Sequence, residues 1–243
     1  MTPRTLLWSA ALALLSLALS SLGQAQQPAL EPLNTNLAPA IPSVPAASPD
    51  KSVTTTLREA LQFMNQGKLD DALNKANAAI LVAPQDPDAY GVRGTIYSQK
   101  KQNELALADF QKVLQLTPKY APAKFNIAEL SFRQKLYDQA RPGFVELEQD
   151  PDLGDLATYK VFLCDLYAGH DDVAKRELDA FNQIGSNASY YFSNAAWSLY
   201  HHQIEDARGW LTSASHIYAP QKLNLFSSSL FDLGYLPLPP PPN

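Results

Sequence analysis

Residues 103–120 read "NELALADFQKVLQLTPKY", with Ala106, Phe110 and Val113 spaced four and three apart so that they share one stripe of a helix. The pattern has an echo 34 residues upstream in "LDDALNKANAAILVAPQD" and a weaker one downstream in "YDQARPGFVELEQDPD". Ala72, Ala106, Ala140, Ala174 and Ala207 mark the phase, at intervals of 34, 34, 34 and 33 residues. Gly67 and Gly169 stand five before the alanine, Phe110, Phe144, Leu178 and Leu211 four after it, and Pro84 and Pro118 twelve after it. A fixed period of this length predicts stacked helical units that bury their apolar faces only against neighbours.

The boundaries of the helices are written in the same register. Pro118 cannot continue a helix, while Asp86 and Pro87 supply an N-cap and a first-turn residue for the next one. Asp138 is expected to cap the helix containing Pro142, which would then lose only a first-turn bond and bend the helix slightly. After Pro220, Leu223, Phe226, Leu230 and Phe231 recur at helical spacing, predicting a last helix stopped at Gly234 that covers the open face of the fifth unit.

Residues 87–120 hold the fullest version of the pattern. Tyr90, Gly94 and Tyr97 lie on the first helix, and Ala106, Phe110, Val113 and Pro118 follow on the second. Gly94 and Ala106 let two backbones approach, and Tyr97 and Phe110 fill the volume beside that contact. In these residues the chain resembles the tetratricopeptide repeat family. The resemblance implies an all-α fold, a right-handed α-solenoid of about five helix pairs plus a C-terminal capping helix. Its repeats would fall near 53–86, 87–120, 121–154, 155–187 and 188–220, with the cap at 221–236. Phe162 stands where the family has a small residue, which suggests a shift of two residues bringing Cys164 to the crossing and Tyr167 beside it. The segment "YYFSNAAWSLYHH" also resembles the last repeats of secreted bacterial proteins of this family.

Family geometry further implies a concave face lined by the first helices. In repeat 1 these are Leu57, Leu61 and Met64, and in repeat 2 Thr95 and Ser98. Phe125, Glu129, Phe132 and Arg133 follow in repeat 3, then Tyr159 and Leu163, continuing through Leu166, Tyr167, Phe192, Leu199 and Tyr200. Such a groove suits an amphipathic helix or an apolar peptide. In repeats 4 and 5 the same side chains serve equally well as core. The family's two-carboxylate clamp requires Lys and Asn on successive turns of the first helix, where this chain has Leu57 and Leu61.

Composition and the two ends narrow the function class. Arg4, the apolar run "LLWSAALALLSLALSSLG" and the small residues Gly23 and Ala25 form the layout of a secretory signal peptide over 1–25, cleaved after Ala25, with a retained anchor as the alternative. Residues 26–52 carry six of the nineteen prolines and few large apolar side chains, which predicts an extended linker, and 237–243 is a proline-rich tail. Beyond residue 25 there are 18 Lys plus Arg against 24 Asp plus Glu, a net charge of −6 without a basic cluster, so no nucleic acid is expected as a partner. The single cysteine, Cys164, allows no intramolecular disulfide and reads as a small core residue.

No phosphate-loop, zinc-protease, hydrolase-elbow or C-x-x-C signature occurs. His201 and His202 in "HHQIED" are adjacent and so point about 100° apart on a helix, which disfavours a shared metal. No cofactor and no metal is expected. The expected function is therefore a non-enzymatic scaffold of the periplasm or cell envelope that binds an unidentified protein or peptide on its concave face. It would meet a membrane only through an uncleaved signal segment. A cell-wall-associated glycan-binding or enzyme-like protein is the alternative.

Overall fold

A computed structural model describes residues 51–184 and 187–236. The expected signal segment, the linker up to residue 50 and the tail at 237–243 lie outside the described residues. Among the described residues there are eleven α-helices and no strand: α1 (Lys51–Asn65), α2 (Leu69–Val82), α3 (Pro87–Gln99), α4 (Asn103–Leu116), α5 (Ala121–Arg133), α6 (Tyr137–Val145), α7 (Gly154–Ala168), α8 (Asp171–Ile184), α9 (Ala188–Tyr200), α10 (Ile204–Ile217) and α11 (Pro220–Asp232). Successive helices pair as α1/α2, α3/α4, α5/α6, α7/α8 and α9/α10, each pair stacks on the next, and α11 closes the all-α solenoid.

The period of 34 is the period of the packing. All five phase-marking alanines are fully buried, at 0% exposure, on the second helix of their pair. In repeat 2 the crossing is so close that a Cβ on Gly94 would stand 2.8 Å from Cε1 of Phe110. The turn inside each pair also repeats. Gly67, Lys101, Lys135, Gly169 and His202 all have positive φ, between 59° and 82°, five residues before the alanine. Only glycine enters that region without steric cost, so three of the five turns hold a strained residue, and only the two glycines mark the position in the sequence. Asp86 caps α3, its carboxylate accepting from the Asp88 N–H at 2.9 Å, with Pro87 as the first helical residue.

Two local expectations are corrected. α6 is capped by Leu136 rather than Asp138, so Pro142 is the sixth residue of the helix and removes an interior hydrogen bond. The helix ends after 9 residues, against 14 in α2 and α4. In α7 the shift of two residues is not adopted: Phe162 meets Phe181 of α8 at 6.3 Å, and Cys164 lies within electrostatic reach of Arg141 and Glu129 in repeat 3. With a phenylalanine at the crossing, α7 and α8 pack less closely than the helices of the other pairs.

The core falls into three clusters. Repeat 1 with one face of α3 (Ala89, Val92, Ile96) forms one, repeat 2 with Ala123 and Leu130 of α5 forms another, and repeats 3 to 5 together with α11 form a third, much larger one. At its centre is α7, buried at every position from Leu156 to Leu166 except Thr158. A helix wrapped on all sides loses the polar stripe that a surface helix keeps.

Candidate functional site

The expected groove residues lie on the first helices α1, α3, α5, α7 and α9, and the structure distributes them unevenly between core and surface. Leu57 and Met64 are buried in the repeat 1 cluster and Leu61 is half-buried beside them. Thr95 is buried, its hydroxyl donating to the Gly91 carbonyl at 3.0 Å. Phe125 is buried edge-on against Phe144, with ring centroids 5.2 Å apart. Phe132 is buried between Tyr137 and Phe144 beneath Lys160, whose Nζ is 4.2 Å from the ring centre. Tyr159 and Leu163 are fully buried, as are Leu166, Phe192 and Leu199, while Tyr167 and Tyr200 are half-buried. These apolar positions face inward because α6 and the helices around α7 close over them.

Three of the expected residues meet in a pocket of about 350 Å³ at the ends of α3, α5 and α11. Ser98 lines it from α3, and Phe132 and Arg133 line it from α5. Lys101 and Lys135, both in the left-handed conformation, line it from the two adjacent turns, together with Tyr137 and with Asp232 and Leu233 of the C-terminal segment. Arg133 Nε is 3.3 Å from Asp232 and 3.5 Å from Glu129. The pocket thus joins one aromatic floor to three cations, one of them, Arg133, held by two carboxylates. Lys101 and Lys135 were absent from the residues expected by family geometry. Their signal was their phase, five residues before Ala106 and Ala140, where Gly67 and Gly169 stand in other repeats.

The buried ionic groups near this face are internally paired. Lys160, 2% exposed, has its Nζ 2.7 Å from Glu129 Oε2, an ion pair without the alignment of a hydrogen bond. Asp109 accepts two hydrogen bonds from Arg93, at 2.7 and 2.8 Å. Arg141 bridges Asp165 and Glu177, and burial, then the neighbouring Asp165 charge, pushes the Glu177 carboxyl up to about 7. Burial also raises the Tyr159, Tyr167 and Tyr137 phenols and pushes the Cys164 thiol up to about 12, so none of these groups is ionised near neutral pH. No group of three or more His, Cys, Asp or Glu among the described residues is arranged to hold a metal. His201 instead stacks on Trp197 at 4.2 Å.

Residues 57–121 match the tetratricopeptide repeat model, and the helix pairs that follow continue the same alternation. The chain carries tetratricopeptide repeats. A DnaJ protein, P58IPK homolog A from Oryza sativa subsp. japonica, is 29% identical over 91 residues, 37% of this chain. The chain spans only 19% of the length of that relative. The tetratricopeptide array superposes on PilW, a type IV pilus biogenesis factor, with TM-score 0.56 and 19% identity over 75% of this chain and 88% of that one. It also superposes on a thermophilic tetratricopeptide protein of Thermus thermophilus, with TM-score 0.56 and 19% identity over 74% and 99% of the two chains. At these identities the likeness is one of fold, and repeats of this kind serve as protein-interaction scaffolds.

Proposed function

We propose that this tetratricopeptide array is a non-enzymatic scaffold of the periplasm or cell envelope. It binds an acidic segment of a partner protein in the pocket at the ends of α3 and α5. The observation that carries this reading is the pair of left-handed lysines. Glycine would fit either turn at lower cost, by about 1–2 kcal/mol each, yet both turns facing the pocket hold a cation. Strain kept at an exposed position points to a use for the side chain. Arg133 adds a forked donor, and the Phe132 and Tyr137 rings supply an apolar floor for the residue beside the acid. Export is supported by Arg4, the apolar run behind it and the small-residue exit at Gly23 and Ala25.

The test separates stability from binding. Replacing Lys101 and Lys135 with glycine relieves two strained turns, so the double variant is expected to be at least as stable as wild type while losing a partner captured from an envelope extract. Equal capture by wild type and variant would remove the two lysines from the site. Saturable binding of muropeptides by wild type, in place of protein capture, would favour a glycan ligand.

A further inference from the structure

The first-helix face of repeats 3 to 5 is already occupied, by a helix of the chain itself. α11 runs beside α7 in the same direction. Lys222 Nζ lies 2.9 Å from Asp155 at the start of α7, and the Tyr235 ring, just past the end of α11, is 6.1 Å from Tyr167 in the last turn of α7. Between these ends Phe226 is wedged against Tyr159 and Phe192, with centroids 5.4 and 5.3 Å away, and only 1% of its surface is exposed. Leu230 is fully buried one turn further on, and Asp232 reaches Arg133 of α5. The connection to α10 is only Tyr218 and Ala219, both extended.

We propose that this face is a binding site for an amphipathic helix of a partner protein, and that α11 is the occupant it holds in cis until such a helix replaces it. The idea rests on the scaffold reading above and adds the shape of the ligand. α11 itself is the template: a basic residue, an aromatic four positions later, an aliphatic four after that and a carboxylate two further on, as in Lys222, Phe226, Leu230 and Asp232. Asp155 and Arg133 at opposite ends of the face set the direction in which such a helix lies.

Two features suit α11 to being displaced. Its seam with α7 and α9 includes the hydroxyls of Ser229 and Tyr159, both buried without a hydrogen-bond partner, which is unusual for a permanent core. Its two terminal ion pairs are between partly exposed groups, which orient a helix more than they hold it. The short link keeps a released α11 close by, so an external helix competes against a high local concentration of the resident one.

The test uses the full chain and a fluorescein-labelled peptide of residues 219–236, followed by anisotropy. Wild type should bind the peptide weakly, because the resident helix competes. The Phe226→Ala full chain should bind it about tenfold more tightly at one to one. A peptide carrying the same change should bind neither protein. In wild type, amide hydrogens of α11 should exchange before those of α7 and α9. Equal peptide binding by the two proteins, or α11 amides that exchange only with those of α7, would overturn the proposal. A concentration-dependent dimer of the variant would overturn it in favour of exchange between two copies. If Phe226→Ala does not fold, the Lys222→Ala/Asp232→Ala variant takes its place, with a gain of about threefold expected from the loss of two partly exposed pairs and no gain overturning the proposal. The probe is the chain's own helix, so this result stands apart from capture by Lys101 and Lys135.

Discussion

Adding one methyl group to Gly94 tests whether the repeat 2 crossing is as tight as its geometry implies. A Cβ there would stand 2.8 and 3.0 Å from two carbons of the Phe110 ring and 3.2 Å from the Asp109 Cβ, where carbon contacts favour about 3.5–4.0 Å. Neither neighbour is free to yield. Phe110 is 1% exposed, and Asp109 is clamped by two hydrogen bonds from Arg93. Replacing glycine by alanine inside a helix would by itself gain up to about 1 kcal/mol, and overpacking a core costs about 1–3 kcal/mol. Gly94→Ala should therefore destabilise the protein by about 1 kcal/mol net. Gly209 in α10 is the control, since a Cβ there meets nothing within 4 Å. Gly209→Ala should stabilise by about 0.5–1 kcal/mol. Urea titration followed by circular dichroism at 222 nm measures both. Adding Phe110→Leu to Gly94→Ala should recover much of the loss, giving a coupling between the two sites. A Gly94→Ala midpoint at or above wild type would refute the close crossing.

Truncating Phe125 and Phe132 to alanine should cost about 3–5 kcal/mol each and abolish the cooperative helical transition of repeat 3, rather than leave a folded protein deficient in binding. Cys164 should resist Ellman's reagent in the native protein and react promptly in denaturant, because its thiol is 1% exposed and pushed up to about 12. Glu177 has a folded pKa raised from about 4.5 to about 7, so its contribution to stability is fully present below pH 4.5 and is lost as pH rises through 7. Glu177→Gln should accordingly exceed wild type by about 1–2 kcal/mol at pH 8, with the gap closing below pH 5, as read from urea midpoints across pH. His202→Gly relieves a left-handed residue outside the pocket and should stabilise by about 1 kcal/mol by the same titration.

The solenoid was legible because a backbone crossing tolerates only small side chains, so Ala72 and its successors had to recur at the repeat length. Local chemistry was readable where it involves neighbours in sequence, as at Asp86 and Pro87. It misled at Asp138, where the helix begins two residues earlier than a cap at that side chain would place it. The site was harder to read for a different reason. Which face of α5 or α7 meets solvent depends on what the last helix covers, and a helical spacing in residues 220–232 predicts a helix but not where it docks. Phe125, Tyr159 and Leu163 therefore looked like groove residues and are core, while Phe132 is largely buried and reaches the pocket only at its floor. Lys101 and Lys135 were not among the expected residues, because their positive φ is marked in the sequence only indirectly, by the glycines at the same phase in repeats 1 and 4.

The enclosure of α7 has a consequence for biogenesis. Synthesis runs from the first repeat to the last, so α7, whose residues are nearly all apolar or buried, is complete about 68 residues before the segment that ends at residue 236. At typical elongation rates of about 5–20 residues per second, that leaves its Tyr159 side uncovered for roughly 3–14 s, with α9 and then α11 still to come. Repeats 1 and 2 have their own small clusters and need not wait. The nascent chain thus passes through an interval in which its leading half is built and its most aggregation-prone helix is bare, and a chain stopped short of Phe226 would never leave that interval.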